Sequence, residues 1–293
     1  MHKAGFVNIV GNPNVGKSTL MNVLVGERIS IATFKAQTTR HRIMGICNTD
    51  DMQIVFSDTP GVLKPNYKLQ ESMLSFSNSA LTDADVLLYV TDVVETPDKN
   101  NEFMEKVCRQ TMPVLVLINK IDLTHQEKLT ELVETWQKQL PSAEIIPISA
   151  TSKFNVNYVL KRIKELLPDS PPYFDKNQWT DRPARFFVSE IIREKILLYY
   201  DKEIPYSVEV SVDSFKEEAT IIRIRAVIYV ERESQKGIII GKEGKALKKV
   251  ATEARRSLER FFDKKIYLET FVKVDKDWRS SEKELKNFGY PFE

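Results

Sequence analysis

An α/β unit built on a mainly parallel sheet, followed by a smaller α+β unit, is the fold class that three features of this 293-residue sequence predict. The chain exceeds the roughly 100–200 residues that one hydrophobic core usually serves, so two domains are expected. Up to residue 167, short β-branched runs alternate with longer amphipathic stretches, the pattern of strands buried between two layers of helices. Pro168-Asp169-Ser170-Pro171-Pro172-Tyr173 then breaks the alternation, and beyond it two strands follow one another directly.

In order, near-continuous apolar runs predict strands over residues 6–10, 43–48, 53–57, 86–91, 114–118 and 144–148. Helical periodicity predicts helices over 17–25, 69–81, 100–110, 126–139 and 156–167. The prolines stop the last helix and favour an extended connector, which sets the domains at 1–168 and 184–293 with a Pro-rich linker over 169–183. The second domain reads as a helix over 184–200, strands over 207–213 and 220–230, a short helix, a Gly-rich turn, a long helix over 245–262, a strand over 265–273 and a tail. Phe261, Phe262 and Tyr267 read as core aromatics.

Composition excludes several classes. With 42% hydrophobic and 29% charged residues, 10 Gly and 13 Pro, the chain is neither disordered, collagenous nor of low complexity. Its longest apolar runs fall far short of the roughly 18 residues needed to cross a bilayer. The start moves straight into a strand with no secretory segment ahead of it, so a cytoplasmic protein is expected. Cys47 and Cys108 have neither disulfide nor metal-ligand spacing and read as core thiols in a reducing compartment. The net charge of +2 hides an asymmetry, since residues 1–175 carry 18 Lys+Arg against 20 Asp+Glu and the remainder 25 against 21. Much of the excess lies in residues 236–256, a basic patch of the kind that meets a phosphate backbone.

Gly11-Asn12-Pro13-Asn14-Val15-Gly16-Lys17-Ser18 is a complete G-x-x-x-x-G-K-S between a strand and an amphipathic helix. Backbone N–H groups and a helix N-terminus converge there on anionic phosphates, Lys17 adds a point charge, and the Ser18 hydroxyl suits Mg²⁺. Gly11, Asn14, Val15, Gly16, Lys17, Ser18 and Thr19 are therefore the expected phosphate-binding residues. Asp58-Thr59-Pro60-Gly61 ends an apolar run, which puts a carboxylate where it can hold a Mg²⁺ water and a glycine where it can approach a γ-phosphate. In Asn119-Lys120-Ile121-Asp122 the carboxylate can accept two guanine donors that adenine lacks. Ser149-Ala150-Thr151 follows the last strand and can lend a backbone N–H to the guanine oxygen. Taken singly, each motif could be a turn. Four of them at the carboxyl ends of successive strands point to GTP.

Between the first helix and the second strand, Gln37-Thr38-Thr39-Arg40-His41 occupies the switch I position, where a threonine can close on Mg²⁺ and the γ-phosphate. Spacing does not decide between Thr38 and Thr39. After Gly61 the chain has Val62, not the glutamine that orients water in Ras-like GTPases. Asn14 is then a candidate for holding K⁺ against the phosphates, with a simple loop cap as the alternative.

In the second domain, Ile240-Gly241-Lys242-Glu243-Gly244-Lys245 joins an apolar stretch to a basic helix that also carries Lys248 and Arg255. A G-x-x-G loop clamps the backbone of about four unpaired nucleotides. With the basic patch and the α+β order around it, this predicts a KH-type RNA-binding fold.

Over essentially its whole length the sequence resembles the Era family of bacterial ribosome-assembly GTPases. The resemblance rests on the nucleotide motifs, on Gln37-Thr38-Thr39-Arg40-His41-Arg42, and on Arg182-Pro183-Ala184-Arg185-Phe186, Glu194-Lys195, Glu203-Ile204-Pro205-Tyr206-Ser207, Glu231-Arg232-Glu233-Ser234-Gln235-Lys236, the G-x-x-G segment and Trp278-Arg279. It implies a P-loop GTPase domain joined to a KH domain, slow hydrolysis of GTP to GDP, and binding near the 3′ end of 16S ribosomal RNA during assembly of the 30S subunit. It further implies a monomer, Thr39 as the switch I ligand with Ser18 and Asp58 completing the Mg²⁺ set, and peripheral association with the inner face of the membrane. Thr151 departs from the lysine of many S-A-K motifs, which leaves its side chain without an assigned role. Two other classes compete with this reading. A GTPase component of a tRNA-modifying enzyme would need a one-carbon cofactor domain or a reactive C-terminal cysteine, and a membrane or division regulator would leave the G-x-x-G patch unexplained.

Overall fold

The structure is a computed structural model and describes residues 2–95 and 100–291. Its first unit is built on six strands, β1 (Lys3–Val10), β2 (Ile43–Asn48), β3 (Met52–Asp58), β4 (Val86–Asp92), β5 (Val114–Asn119) and β6 (Glu144–Pro147), in the spatial order β2-β3-β1-β4-β5-β6. All neighbours are parallel except β2, which returns antiparallel along β3 through a tight turn closed by the Thr49 N–H donating to the Met52 carbonyl at 2.8 Å.

The apolar runs are continuous because both faces of the sheet are covered. Along β4 and β5, Val86, Leu88, Val90, Leu115 and Leu117 point to one core, together with Leu20 and Met21 of α1 (Lys17–Val25) and Val159 and Ile163 of α5 (Val156–Leu166). Leu87, Tyr89, Val116 and Ile118 point the other way, to Ala80 just beyond α2 (Lys68–Ser79), Phe103 and Val107 of α3 (Asn101–Cys108), and Trp136 of α4 (Gln126–Gln139). Strand order reverses at β1, whose neighbours are β3 and β4, so the loop after β1 opens into the crevice where α/β sheets bind ligands.

The prolines end α5 as expected, but through Asp181 the segment expected as a linker is hydrogen-bonded to the first unit, and the two compact units divide between Asp181 and Arg182. The Ile46 N–H donates to the Trp179 carbonyl at 3.0 Å, Thr180 Oγ1 donates to the Met44 carbonyl at 2.7 Å, and Gln53 Oε1 accepts from the N–H groups of Tyr173 and Phe174. The physical reason is that β2 is an edge strand, and the segment satisfies backbone groups the edge would otherwise expose.

The second unit begins with α6 (Ala184–Tyr199), followed by β7 (Glu209–Glu217), β8 (Ile221–Val230), α7 (Glu233–Ile240), α8 (Lys245–Phe262), β9 (Lys265–Val274) and α9 (Glu282–Asn287). β7 and β8 are antiparallel and β9 lies parallel to β8, in the order β7-β8-β9. One sheet face, carrying Ile222, Ile224, Ala226, Ile228 and Ile266, packs on Val188, Ile192 and Ile196 of α6 and on Val250, Ala254 and Leu258 of α8. The tail is folded: buried Trp278 donates its indole N–H to the Ser207 carbonyl at 3.2 Å, and the Tyr290 hydroxyl donates to Glu209 at 2.7 Å.

Two side-chain expectations need correction. Cys108 is exposed because it lies on the last turn of α3, while Cys47 is half-buried and burial pushes its thiol up to about 11. Tyr267 is 47% exposed, because it occupies an outward position of β9. Phe261 and Phe262 do pack inward, Phe261 stacking on Phe187 at 5.2 Å. Among the described residues no helix is long and apolar enough to cross a membrane.

Candidate nucleotide site and nucleic-acid interface

Four strand ends build the first site. After β1 the chain enters the P-loop with Asn14 at φ 65° and Gly16 at φ 97°, a left-handed conformation that costs L-residues energy. Gly16 has a second constraint, since a Cβ there would lie 2.3 Å from Asn119 Nδ2. The turn curls its backbone around the buried Lys17 ammonium, which donates to the carbonyls of Gly11 at 2.9 Å and Asn12 at 2.7 Å. Burial lowers this ammonium to about 8 against the opposing charges of Asp58 and Glu95, so the loop holds a cation that lacks its full solvation. An anionic phosphate would supply that missing interaction.

Ser18, the next residue, has its hydroxyl 2.7 Å from Thr39 Oγ1 and donates to Asp58 Oδ2 at 2.6 Å, and Thr39 Oγ1 lies 3.4 Å from the same carboxylate oxygen. Asp58 is fully buried, and its other oxygen, Oδ1, has no hydrogen-bond partner among the described residues. Burial raises the Asp58 pKa despite the Ser18 hydrogen bond and the nearby Lys17 charge. A buried carboxylate with an orphaned oxygen, beside two hydroxyls, is an oxygen-only donor set of the kind hard divalent cations select. Thr38 stands apart: its hydroxyl donates to the Lys35 carbonyl at 2.6 Å and pairs with that of Thr33. Tertiary placement therefore separates two adjacent threonines that spacing left equivalent.

Gln37 takes φ 56° in the turn before them, while Arg40 and His41 are buried, the His41 ring 6.1 Å from that of Phe76. Arg42 closes the segment with hydrogen bonds to Ser57, Asn8 and Asp83. On the opposite side Thr59 donates to the Ile9 carbonyl at 2.8 Å, the Pro60 carbonyl accepts from Ser77, and Gly61 abuts the backbone of Pro13. The Val62 N–H donates to the Gly11 carbonyl at 3.1 Å, and the Val62 side chain is buried in the core. Its side chain has no group that can hydrogen-bond a water.

The base-side motifs meet at Asn119, the last residue of β5. Its buried amide donates to the Val15 carbonyl at 2.8 Å and its oxygen accepts from the Ala150 N–H at 3.0 Å, so this side chain braces the P-loop against the Ser149-Ala150-Thr151 turn and occupies the N–H expected to meet the guanine oxygen. Lys120, at φ 62°, donates to the Asn14 carbonyl and to Asp92, each at 2.6 Å. Asp122 follows in a short turn with its side chain exposed, while Ser149 is buried and pairs with Thr151 Oγ1 at 3.3 Å. Asp92 is the residue that sequence reasoning missed. It ends the apolar run of β4 as Asp58 ends that of β3, a signal present in the chain and not used.

In the second unit the G-x-x-G loop joins α7 to α8. Gly241 sits at φ 70° with its missing Cβ 2.6 Å from that of Ala246, whereas Gly244, at φ 71°, faces open space and caps α8. Ile240 is half-buried, Lys242, Lys245 and Lys248 are exposed, and the exposed Glu243 pairs with Lys245 at 2.8 Å. Arg255, further along α8, pairs with Glu259 at 2.8 Å. The loop thus offers a backbone ridge without side-chain bulk at the N-terminus of a basic helix.

Comparison with known proteins fits both units. Residues 6–120 match the 50S ribosome-binding GTPase family and residues 203–279 the KH domain family. GTPase Era of Staphylococcus epidermidis is 44% identical over 99% of this chain and 97% of its own length, and that of Staphylococcus haemolyticus is 45% identical over the same shares. A crystal structure of Era in complex with MgGDPNP and nucleotides 1506–1542 of 16S ribosomal RNA superposes with a TM-score of 0.95 at 38% identity, covering 100% of both chains. A variant of Aquifex aeolicus Era bound to GDP and tetrafluoroaluminate gives 0.94, also at 38% identity, over 99% of this chain and 100% of that one. With a nucleotide-type crevice in one unit, a G-x-x-G loop in the other and near-full-length identity of this order, the chain belongs to the Era family of GTPases.

Proposed function

We propose that this chain is a GTP-hydrolysing, RNA-binding switch that binds 16S ribosomal RNA near its 3′ end and assists assembly of the 30S subunit. The observation that carries the reading is the convergence of Ser18, Thr39 and the half-satisfied Asp58 carboxylate beside Lys17, in a chain whose second unit presents an open G-x-x-G loop. Gly11, Asn14, Val15, Gly16, Lys17, Ser18 and Thr19 take the phosphates, with Lys17 at the β/γ oxygens. Asp122 selects guanine, with Ser149, Ala150 and Thr151 lining its pocket, while Asn119, through the Ala150 N–H, and Lys120 hold the two walls of that pocket together. Ser18, Thr39 and Asp58 would hold Mg²⁺, which when bound would neutralise charge developing on the phosphate oxygens.

Hydrolysis joins a water oxygen to the γ-phosphorus and breaks its bond to the β–γ bridging oxygen, giving GDP and phosphate. The chain's contribution is positioning and charge, because Val62 supplies no group that orients the water, and turnover by the protein alone is accordingly slow. Asn14 is proposed as the residue that would hold K⁺, whose added positive charge would favour phosphoryl transfer. Loss of the γ-phosphate removes a partner of Thr39 and frees residues 37–41 to move. Gly241 to Gly244, with Ile240, Lys242, Lys245, Lys248 and Arg255, grip RNA backbone and bases. The family resemblance further implies a cytoplasmic monomer able to associate peripherally with the inner face of the membrane.

Nucleotide changes RNA affinity only if the two nucleotide states interact differently with RNA or with the unit that holds it, and the reciprocal effect is then equal in free energy. Filter binding of the 16S fragment in GDP and in a non-hydrolysable GTP analogue should give different dissociation constants. Equal constants would reduce the protein to two independent modules.

A further inference from the structure

The sheet of the second unit has two faces, and its hydrophobic core accounts for one. On the face turned away from α6 and α8, register sets Arg223 opposite Tyr267, Arg225 opposite Glu269, Val227 opposite Phe271 and Tyr229 opposite Lys273. β7 adds Lys216 opposite Arg223 and Ser214 opposite Arg225. The tail covers one end of this face, the Phe288 ring lying 5.2 Å from that of Tyr229. The other end is open, with Tyr267 47% and Phe271 49% exposed and the side chains of Arg223 and Arg225 50% and 53% exposed.

The open half has a specific chemistry. The Arg223 guanidinium lies 5.4 Å from the centre of the Tyr267 ring and that of Arg225 5.4 Å from the Phe271 ring. Around a shallow depression of about 260 Å³ they are joined by Lys216 and Glu269, with Lys265 and Lys273 at the two ends of β9. On the open half four cations, Lys216, Arg223, Arg225 and Lys265, meet two carboxylates: Glu269 accepts from Arg225 at 3.4 Å and from the Tyr267 hydroxyl at 3.1 Å, and Glu218 accepts from Arg223 at 3.0 Å. A solvated sheet face ordinarily carries mainly polar side chains. Exposed rings capped by guanidinium groups give planar surfaces that stack bases and charges that meet phosphates. An acidic peptide would match the cations and leave both rings unused, whereas unpaired RNA uses both.

We propose that this outer sheet face is a second RNA-binding surface, stacking unpaired bases on Tyr267 and Phe271 and meeting their phosphates with Lys216, Arg223, Arg225 and Lys265. The proposal rests on the RNA-binding reading above and concerns a different segment of the RNA from the one gripped at Gly241 to Gly244. That loop sits where α7 meets α8, and α8 covers the opposite side of the sheet, so a clamp of about four nucleotides does not reach the outer face. Only a longer RNA engages both.

The test uses the full chain and two RNAs, the 16S fragment 1506–1542 and a single strand of about eight nucleotides from its 3′ end, long enough for the G-x-x-G clamp alone. Arg223→Ala with Arg225→Ala should weaken binding of the long fragment about tenfold and flatten its salt dependence by about 1.4 in log K against log salt, two contacts at about 0.7 each. Tyr267→Ala should weaken it about 5- to 100-fold and leave the salt slope unchanged, as loss of stacking does. Neither should alter the short strand's affinity or GTP turnover without RNA, whereas Gly244→Asp should weaken both RNAs. Thermal midpoints matching the wild type establish that the variants fold, and Tyr267→Ala stands as an independent arm should the arginine pair fail to. Wild-type affinity and slope for the long fragment in these variants would overturn the proposal. So would loss of binding confined to intact 30S subunits, which would mark a protein partner. Failure of the wild type to bind either RNA would bring down the RNA reading itself, a result separable from both.

Discussion

Asn119 and Asp122 belong to one four-residue motif, yet the structure gives them separable work, and Asn119→Ala exposes the difference. The Asn119 amide is buried, donating to the Val15 carbonyl and accepting from the Ala150 N–H, both in residues that are themselves 2% exposed. Truncation leaves those two backbone groups unpaired away from water, at about 1–3 kcal/mol apiece, hence about 4 kcal/mol together. For a unit of this size that corresponds to a fall of about 8–16 °C in the thermal midpoint. Because the brace joins the phosphate loop to the base-side turn, both walls of the pocket loosen at once. GTP and xanthosine triphosphate should therefore lose affinity by the same factor, measured by fluorescence titration alongside differential scanning calorimetry. An unchanged midpoint combined with a selective loss of GTP would refute this reasoning, since it would mean that the side chain reads the base and does not hold the loops.

Asp122→Asn should instead exchange base preference, weakening GTP and improving xanthosine triphosphate, whose 2-oxo group accepts what Asn donates; equal preference in wild type and variant would remove Asp122 from the base site. Thr39→Ala should raise the Mg²⁺ concentration for half-maximal GTP turnover while Thr38→Ala leaves it near the wild-type value, because only the Thr39 hydroxyl reaches Ser18 and Asp58. Turnover should be faster in K⁺ than in Na⁺ at equal ionic strength, and Asn14→Ala should abolish the difference; a wild type indifferent to the cation would assign the missing charge to RNA or a protein partner. Iodoacetamide followed by mass spectrometry should modify Cys108 well before Cys47, whose half-buried thiol is pushed up to about 11 and is protonated at neutral pH.

The nucleotide site was largely legible in the chain because its chemistry depends on the backbone at strand ends. A glycine-rich turn after an apolar run, or an aspartate closing another, is written in consecutive residues, and the parallel sheet then places all such turns on one edge. Strands and helices were legible for the same reason, since period and length are local properties. The antiparallel return of β2, the edge-covering path of residues 169–181 and the packed tail were not, because each depends on which surface is left unpaired after the sheet has formed.

Side-chain partnership lay beyond the sequence. Adjacent Thr38 and Thr39 have the same chemistry, and only the fold sends one hydroxyl to Asp58 and the other back to Lys35. Asn119 reads as a base contact in its motif and acts as a brace in space, and Asp92 enters the site only because β4 and β5 lie side by side, bringing Lys120 within 2.6 Å. Tyr267 looked like core until the register of β9 turned it outward with Arg223 over its ring. What the sequence by itself determined is the set of motifs whose function resides in a contiguous backbone. What tertiary structure decided is which polar groups face one another, because burial and proximity between distant residues arise only when the chain closes on itself.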